Sequence, residues 1–287
     1  MLSSLGGEAV GYVSARALPN EDYGASIRNP SPPISDTTLS DVSDFDTCLN
    51  ETCYPRPKTV QNLANLLDRN RIVFVCGPPL SGKTTLARLL EEYYRHLGSS
   101  VVYLNEWKNE KSDPVSHLCD LYNEQNKDLP MRPESFAGSS AIFLMDNAQN
   151  TYSDFDFWLK LIKPLNAKRP KLRLCLFASY GNPVTGIDSQ HVPKRRAKTK
   201  LSRFDPLQRV SPIRPRFASD EHPQLYFDRE EFEAIVSNIC LARSEGYIEF
   251  MPATLDCLFT LTSGHPGVTD AVLAWIISLV RPPERMQ

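Results

Sequence analysis

Residues 72–85 read Ile-Val-Phe-Val-Cys-Gly-Pro-Pro-Leu-Ser-Gly-Lys-Thr-Thr, and this stretch decides the fold. The first five residues are a continuous apolar run, which is typical of a strand buried on both faces of a sheet. Residues 77–84 match the pattern G-x-x-x-x-G-K-[ST] of a phosphate-binding loop, here called the P-loop. Leu86, Leu89 and Leu90 then recur at helical spacing. A strand, a glycine-rich turn and a helix in this order are the context that the motif requires.

Each position of the P-loop has a physical role. The glycines allow a turn that points backbone N–H groups at phosphates, and the following helix adds the partial positive charge of its N-terminus. We expect Lys83 to reach the β- and γ-phosphates and the Thr84 hydroxyl to complete a Mg²⁺ coordination shell. The predicted nucleotide-binding residues of the loop are Gly77, Pro78, Pro79, Ser81, Gly82, Lys83, Thr84 and Thr85.

Apolar runs alternate with helical patterns along the rest of the first two thirds of the chain. Further strands are predicted at 101–104, 141–145, 172–177 and 208–211, and helical patterns occur near 115–125 and 154–163. Strands that alternate with helices indicate a parallel sheet covered by helices on both faces. The sequence therefore predicts an α/β fold, a three-layer P-loop NTPase sheet followed by a small C-terminal helical lid.

The predicted organisation has three parts. Residues 1–55 carry eight acidic and two basic side chains with little apolar periodicity, so we expect a disordered acidic tail over 1–57. Order should begin near Thr59, a plausible N-cap residue. A P-loop NTPase domain is expected over 58–218 and a helical lid over 219–287. The lid helices are predicted at 230–244, 252–262 and 266–280.

Charge and composition exclude several classes of protein. Lys and Arg total 32 against 34 Asp and Glu, so the net charge of −2 provides no overall attraction to nucleic acid or to an anionic membrane. The longest apolar run, 271–280, is shorter than the roughly 18 residues of a membrane helix. The first residues lack the features of a secretory signal. We expect an intracellular protein, in the cytoplasm or nucleus, with reduced cysteines.

Polar residues follow the apolar run 141–145. Asp146 stands where a Walker B acid would hold Mg²⁺, although an Asp after a strand can also be a turn or N-cap residue. Many P-loop ATPases have a Glu at the next position, and Asn147 is an amide that cannot accept a proton at neutral pH. Gln149 could position water, or it could be an ordinary loop glutamine. These residues are the catalytic candidates of this loop.

Two more sites carry candidate residues. Ser179, with Asn182 as its alternate, follows the run 172–177, where a polar residue could sense the γ-phosphate or simply cap a turn. Residues 264–267 read Gly-His-Pro-Gly and link two predicted helices. Turn chemistry alone explains this stretch, with Gly264 as a cap and Pro266 as a first helical residue.

Together these motifs resemble the P-loop ATPase domain of crinkler-type proteins from fungi and oomycetes, a branch of the STAND and AAA+ NTPases. The motifs that carry the resemblance lie at 77–84, 145–149 with Tyr152 and Trp158, 177–183, 208–209 and 261–267. The resemblance covers roughly residues 58–280. It implies that Gly264 and Pro266 lie against an adenine, as a Gly-x-Pro motif does in STAND lids. The family's usual Asp-Glu-Ala-Gln is Asp-Asn-Ala-Gln here, so hydrolysis is not implied.

The leading hypothesis is a switch that binds ATP and Mg²⁺, with slow or absent hydrolysis and a protein partner or a second copy that reads the closed state. One alternative is a phosphotransferase in which Arg209 or a residue of the basic segment 191–216 supplies a positive charge near the γ-phosphate. Another is a nucleic-acid-binding protein that uses the basic segment 191–216, which has nine Lys or Arg and one Asp. A solvated loop is the simpler explanation of that segment, since Phe204 is its one aromatic stacking group.

Overall fold

The computed structural model describes residues 54–108, 113–127, 130–168, 170–179, 204–244 and 248–280. Nearly all of the predicted acidic tail lies outside the described residues, as do Asn182 and most of the predicted basic segment. In the part of the chain that is described, no helix has both the length and the apolar character needed to cross a bilayer.

Five parallel strands form one sheet. They are β1 (Ile72–Cys76), β2 (Val101–Leu104), β3 (Ile142–Met145), β4 (Arg173–Ala178) and β5 (Arg209–Val210). Their order across the sheet is β2-β3-β4-β1-β5, and every neighbouring pair is parallel. Each strand agrees with its predicted run to within one residue. Because β4 lies between β1 and β3, the P-loop and the loops after β3 and β4 meet at one edge of the sheet.

Helices cover both faces of the sheet. The helices of the described residues are α1 (Pro57–Asn70), α2 (Lys83–His96), α3 (Pro114–Gln125), a π-helical stretch Phe157–Ile162 that continues into α4 (Lys163–Lys168), α5 (Arg229–Ser244), α6 (Pro252–Thr262) and α7 (Pro266–Val280), of which the last three lie outside the sheet layers. Val73 and Val75 of β1 belong to the core cluster formed with α1 and α2, whereas Ile72 and Phe74 belong to the cluster on the other face, which includes residues of α3 and of the π-helical stretch. Side chains of a strand alternate between faces, so this pattern gives the three layers that the sequence predicts.

The start of α1 differs from the prediction. The helix begins at Pro57 with Arg56 as its N-cap residue, and not near Thr59. Proline at the first helical position sets the backbone for a helix and loses no needed N–H. Thr59 is buried, and its hydroxyl donates to the distant Glu231 carboxylate at 2.5 Å and does not cap the helix. Tyr54, Pro55 and Arg56, which belong to the segment predicted as tail, are among the described residues.

Helices α5, α6 and α7, here called the helical segment, have a core of their own. Phe232 and Ile235 of α5 pack with Leu258 of α6 and Leu273 of α7. The start of α7 also contacts the P-loop, because the Gly267 N–H donates to the Leu80 carbonyl at 2.9 Å. The helical segment is therefore joined directly to the loop that the sequence singles out.

Candidate functional site

The P-loop connects β1 to α2 and turns sharply just before the helix. Gly82 has a φ of 81° and precedes Lys83, the first residue of α2. This left-handed conformation is accessible to glycine without a steric penalty. The Ser81 hydroxyl donates to the Pro78 carbonyl at 2.7 Å, which holds the loop closed across its width.

The Lys83 side chain is folded into the loop. Its Nζ donates to the carbonyls of Gly77 and Pro78 at 3.1 and 2.7 Å and to the Ser81 hydroxyl at 3.2 Å. Burial lowers the Lys83 pKa, and nearby Asp146 opposes this shift. Lys83 is 6% exposed, so its ammonium group is buried beside the first turn of α2.

Asp146 and Thr84 meet at the end of β3. The Thr84 hydroxyl donates to Asp146 Oδ2 at 2.6 Å, and the Tyr103 hydroxyl donates to the same oxygen at 3.2 Å. Asp146 is 2% exposed. Burial and the Asp146 charge raise the Tyr103 pKa, so the phenol stays protonated and remains a donor. The structure thus brings together the two residues that the sequence predicts as metal ligands.

The three catalytic candidates form one chain of hydrogen bonds. Asn147 donates from Nδ2 to the Asn105 carbonyl at 3.1 Å, and its Oδ1 accepts from Gln149 Nε2 at 3.1 Å. The Gln149 Oε1 in turn accepts the Ser179 N–H at 3.0 Å. The network ties together the carboxyl ends of β2, β3 and β4. Each of the two amide oxygens accepts one protein N–H donor, and an amide oxygen cannot take a proton from water at neutral pH.

The backbone of Asn147 has a φ of 50°. Asparagine tolerates this left-handed region better than most residues, because its short side chain bonds locally. Asn147 also lines the cleft described below, and Gln149 is buried at 6% exposure. The residue type at 147 therefore fits both the turn and the hydrogen-bond network.

A cleft of about 630 Å³ opens between the P-loop and the helical segment. This volume is in the usual range for small-molecule sites. Of the predicted nucleotide-binding residues, those that line it are Pro79, Ser81, Gly82, Lys83, Thr84, Thr85 and Pro266. Gly77 and Pro78 direct their carbonyls to Lys83 and are not part of the lining.

Gly264 is not among the cleft residues either. It has a φ of 70°, and a Cβ placed on it would collide with the Phe227 carbonyl oxygen. Its neighbour Gly267 faces the cleft, where an added Cβ would lie 2.5 Å from Leu80 Cβ. Close approach of α7 to the P-loop therefore requires glycine at 267, a residue that the sequence reasoning treated only as part of a turn.

Sequence reasoning missed one whole wall of the cleft. The residues on it are Tyr54, Arg56, Phe227, Ile235, Ile239, Thr269 and Asp270. The apolar members of this set occur in patterns that indicate an ordinary helix core, so no local signal separates them from core residues. Arg56 is held by Glu231 at 2.9 Å and by the Leu225 carbonyl at 2.9 Å.

Comparison with protein families agrees with the presence of the P-loop. Residues 54–115, about a fifth of the chain, match the family described as novel STAND NTPase 3. The chain has a P-loop NTPase fold. The matched residues include the whole P-loop, so the match supports a P-loop NTPase. A search of curated proteins gives no match.

Three solved structures illustrate what the chain is similar to. A Walker-type ATPase of Pyrococcus abyssi has 11% identity and a TM-score of 0.45, over 77% of this chain and 67% of its own. A RuvB variant of Thermotoga maritima has 12% identity and a TM-score of 0.40, over 79% and 67%. PCH-2 of C. elegans has 18% identity and a TM-score of 0.28, over 44% and 39%.

Proposed function

We propose that the chain binds ATP together with Mg²⁺ and acts as a nucleotide-dependent switch with slow or absent hydrolysis. The observation that carries the proposal is the position of the cleft, which has the P-loop on one side and the helical segment on the other. Lys83 provides the buried cation for phosphates, and the N-terminus of α2 provides backbone N–H groups. A nucleotide bound there would contact both sides at once.

The residues present fit a Mg²⁺ ion. Thr84 and Asp146 supply a hydroxyl and a carboxylate whose oxygens lie 2.6 Å apart, and oxygen ligands are those that Mg²⁺ prefers. Among the described residues there is no cluster of three or more His, Cys, Asp or Glu, so phosphates and water would complete the shell. A bound Mg²⁺ would neutralise phosphate charge. The protein's own contribution is to fix Asp146 through Tyr103 and Thr84.

The switch role is supported by the contact between α7 and the P-loop. Gly267 bonds to Leu80, and Pro266 packs beside Gly82. A ligand shifts a conformational equilibrium only when it binds one state more tightly than the other. A nucleotide held by both walls meets this condition, because it loses its contacts with one wall when the walls separate. A protein partner or a second copy would then recognise the closed state.

Slow hydrolysis is supported by the Asn147 network. Neither Asn147 nor Gln149 can accept a proton at neutral pH, and the amide oxygen of each already accepts one hydrogen bond within the network. The phosphotransferase alternative is less well supported. Of the described residues that line the cleft, the cations are Arg56 and Lys83, and Arg56 is already bound to Glu231. Arg209 lies exposed on β5 and is not part of the lining.

We also propose a branch of the family and a division of the chain into two halves. The motifs at 77–84, 145–149 and 261–267 favour a crinkler-type branch of the STAND and AAA+ NTPases. We propose that 58–218 and 219–287 are the two halves that close on the nucleotide. The nucleic-acid alternative rests on the basic segment 191–216, of which only residues 204–216 are described.

One assay separates these functions. Nucleotide is added with and without Mg²⁺, and binding, phosphate release and transfer to an acceptor are scored together. Tight Mg²⁺-dependent binding with little release or transfer is the expected result. Lys58→Ala is the matched control for Lys83→Ala, because Lys58 is an exposed lysine that pairs with Glu230 and does not line the cleft. Rapid transfer to an acceptor would replace the switch by a phosphotransferase.

A further inference from the structure

Thr269 carries a buried hydroxyl that has no hydrogen-bond partner. The residue is 2% exposed, and its Oγ1 is one of the few buried side-chain polar atoms of the described residues without a partner. A threonine inside a helix commonly donates its hydroxyl to the carbonyl four residues earlier. Here the His265 carbonyl accepts the Thr269 N–H at 2.9 Å, and the hydroxyl makes no such bond. An unsatisfied buried hydroxyl is unfavourable and calls for an explanation.

Thr269 is one of the residues that line the wall of the cleft opposite the P-loop, and its hydroxyl is buried in that wall. Its neighbours in that wall include Phe227, Ile235 and Ile239, all buried and apolar. The charged residues of the wall have partners of their own. Asp270 pairs with Arg243 at 2.7 Å, and Arg56 pairs with Glu231 at 2.9 Å. Thr269 therefore offers a polar atom that is not committed within the described structure.

We infer that the Thr269 hydroxyl forms a hydrogen bond with the base of the bound nucleotide. This inference rests on the proposed function and adds a contact at the end of the ligand away from the phosphates. Sites for small molecules commonly combine an apolar wall with a few polar groups that fix the orientation of the ligand. A planar base suits the wall of Phe227, Ile235 and Ile239, whereas a phosphate on the same wall would lose solvation without a counter-charge.

A hydroxyl both donates and accepts, so it can pair with the edge of a base in either sense. The contact also explains why an unfavourable group is present at this position. Binding of the base would satisfy the hydroxyl and add a contact that exists only when α7 lies against the P-loop. Thr269 thus links recognition of the base to the closed state.

The test uses the full chain and the variants Thr269→Val and Thr269→Ser. Valine keeps the shape and removes the hydroxyl, whereas serine keeps the hydroxyl. Thr269→Val should lower ATP affinity by about five- to tenfold in a calorimetric titration, which is the usual effect of one neutral hydrogen bond. Its affinity for inorganic tripolyphosphate should not change. Thr269→Ser should bind ATP within about twofold of the parent, since it keeps the hydrogen bond.

Thermal unfolding supplies a second readout. Without nucleotide, Thr269→Val should melt about 2 °C or more above the parent, because the unsatisfied hydroxyl is gone. The matched control is Thr262→Val. The Thr262 hydroxyl accepts the Gly264 N–H at 3.3 Å, so the same substitution at 262 should lower the melting temperature.

Each outcome bears on the inference. Equal ATP affinity of the parent and Thr269→Val would overturn it while leaving nucleotide binding by the P-loop intact. An equal loss with tripolyphosphate would also overturn it, because the effect would then not come from the nucleoside. If the loss disappears with 2′-deoxy-ATP, the hydroxyl contacts the sugar and the base assignment is wrong. A parent that binds no nucleotide at all would overturn the proposed function itself.

Discussion

Replacing Glu231 with alanine should destabilise the fold far more than replacing its neighbour Glu230. Glu231 lies in the first turn of α5 and pairs with Arg56, the residue just before α1, at 2.9 Å. The pair joins two parts of the chain that are 175 residues apart in sequence. Glu230 also pairs with a cation of the same region, Lys58, at 3.4 Å. The two substitutions therefore remove the same charge from adjacent positions of the same helix.

The expected difference follows from burial. The Arg56 and Glu231 side chains are 4% and 6% exposed, and the Glu231 carboxylate also accepts the Thr59 hydroxyl at 2.5 Å. Removing one partner of such a pair leaves an uncompensated buried charge, which costs about 3–5 kcal/mol. The Lys58 and Glu230 side chains are 62% and 82% exposed, and exposed pairs contribute about 0–1 kcal/mol.

The free energy of unfolding can be measured by urea denaturation followed by circular dichroism. Glu231→Ala should lose at least about 2 kcal/mol more free energy of unfolding than Glu230→Ala. Both carboxylates lie in the first turn of α5, so each variant loses a similar interaction with the helix dipole and this loss does not affect the difference. If Glu231→Ala does not fold, Glu231→Gln keeps the shape and one acceptor and should fall between the two. Equal losses of unfolding free energy in the two alanine variants would contradict this prediction, because burial of the pair between Arg56 and Glu231 would then have no energetic consequence.

Three further predictions concern the cleft. Asn147→Glu supplies a proton acceptor and should raise phosphate release at saturating ATP by at least about tenfold, measured as free phosphate; an unchanged rate would mean that residue 147 is not in the catalytic position. Gly267→Ala places a Cβ 2.5 Å from Leu80 Cβ and should weaken ATP binding, whereas Gly138→Ala, with nothing within 4 Å, should bind like the parent. Asp146→Asn should abolish the difference in ATP affinity with and without Mg²⁺, and a surviving difference would exclude Asp146 as a ligand.

The sheet could be predicted because its strands are buried on both faces. The runs 72–76 and 141–145 contain no polar residue, and this local property reports burial in a parallel sheet directly. The P-loop could be predicted because its chemistry requires particular residues at fixed spacing. Thr84 and Asp146 meet because the P-loop and the loop after β3 lie at the same edge of the parallel sheet. The 2.6 Å hydrogen bond from the Thr84 hydroxyl to the Asp146 carboxylate illustrates this proximity.

The second wall of the cleft could not be predicted, because its character is set by tertiary contacts. Ile235 and Ile239 recur at helical spacing and have the pattern of core residues. Whether the Thr269 hydroxyl has a partner depends on what surrounds α7 and not on the sequence near it. Thr59 has the residue type of an N-cap but bonds to Glu231, 172 residues away. Such long-range pairs leave no trace in local patterns.

The central claim is that the P-loop of this chain binds a nucleotide through Lys83. The most direct measurement is a calorimetric titration of the full chain with ATP and excess Mg²⁺, carried out in parallel on Lys83→Ala and Lys58→Ala. We expect Lys83→Ala to lose about 2 kcal/mol or more of binding free energy, roughly thirtyfold in affinity, because a charge-assisted contact to phosphate is lost. Lys58→Ala should bind like the parent, and all three proteins should melt cooperatively. Equal ATP affinity of the parent and Lys83→Ala, with both folded, would contradict the account.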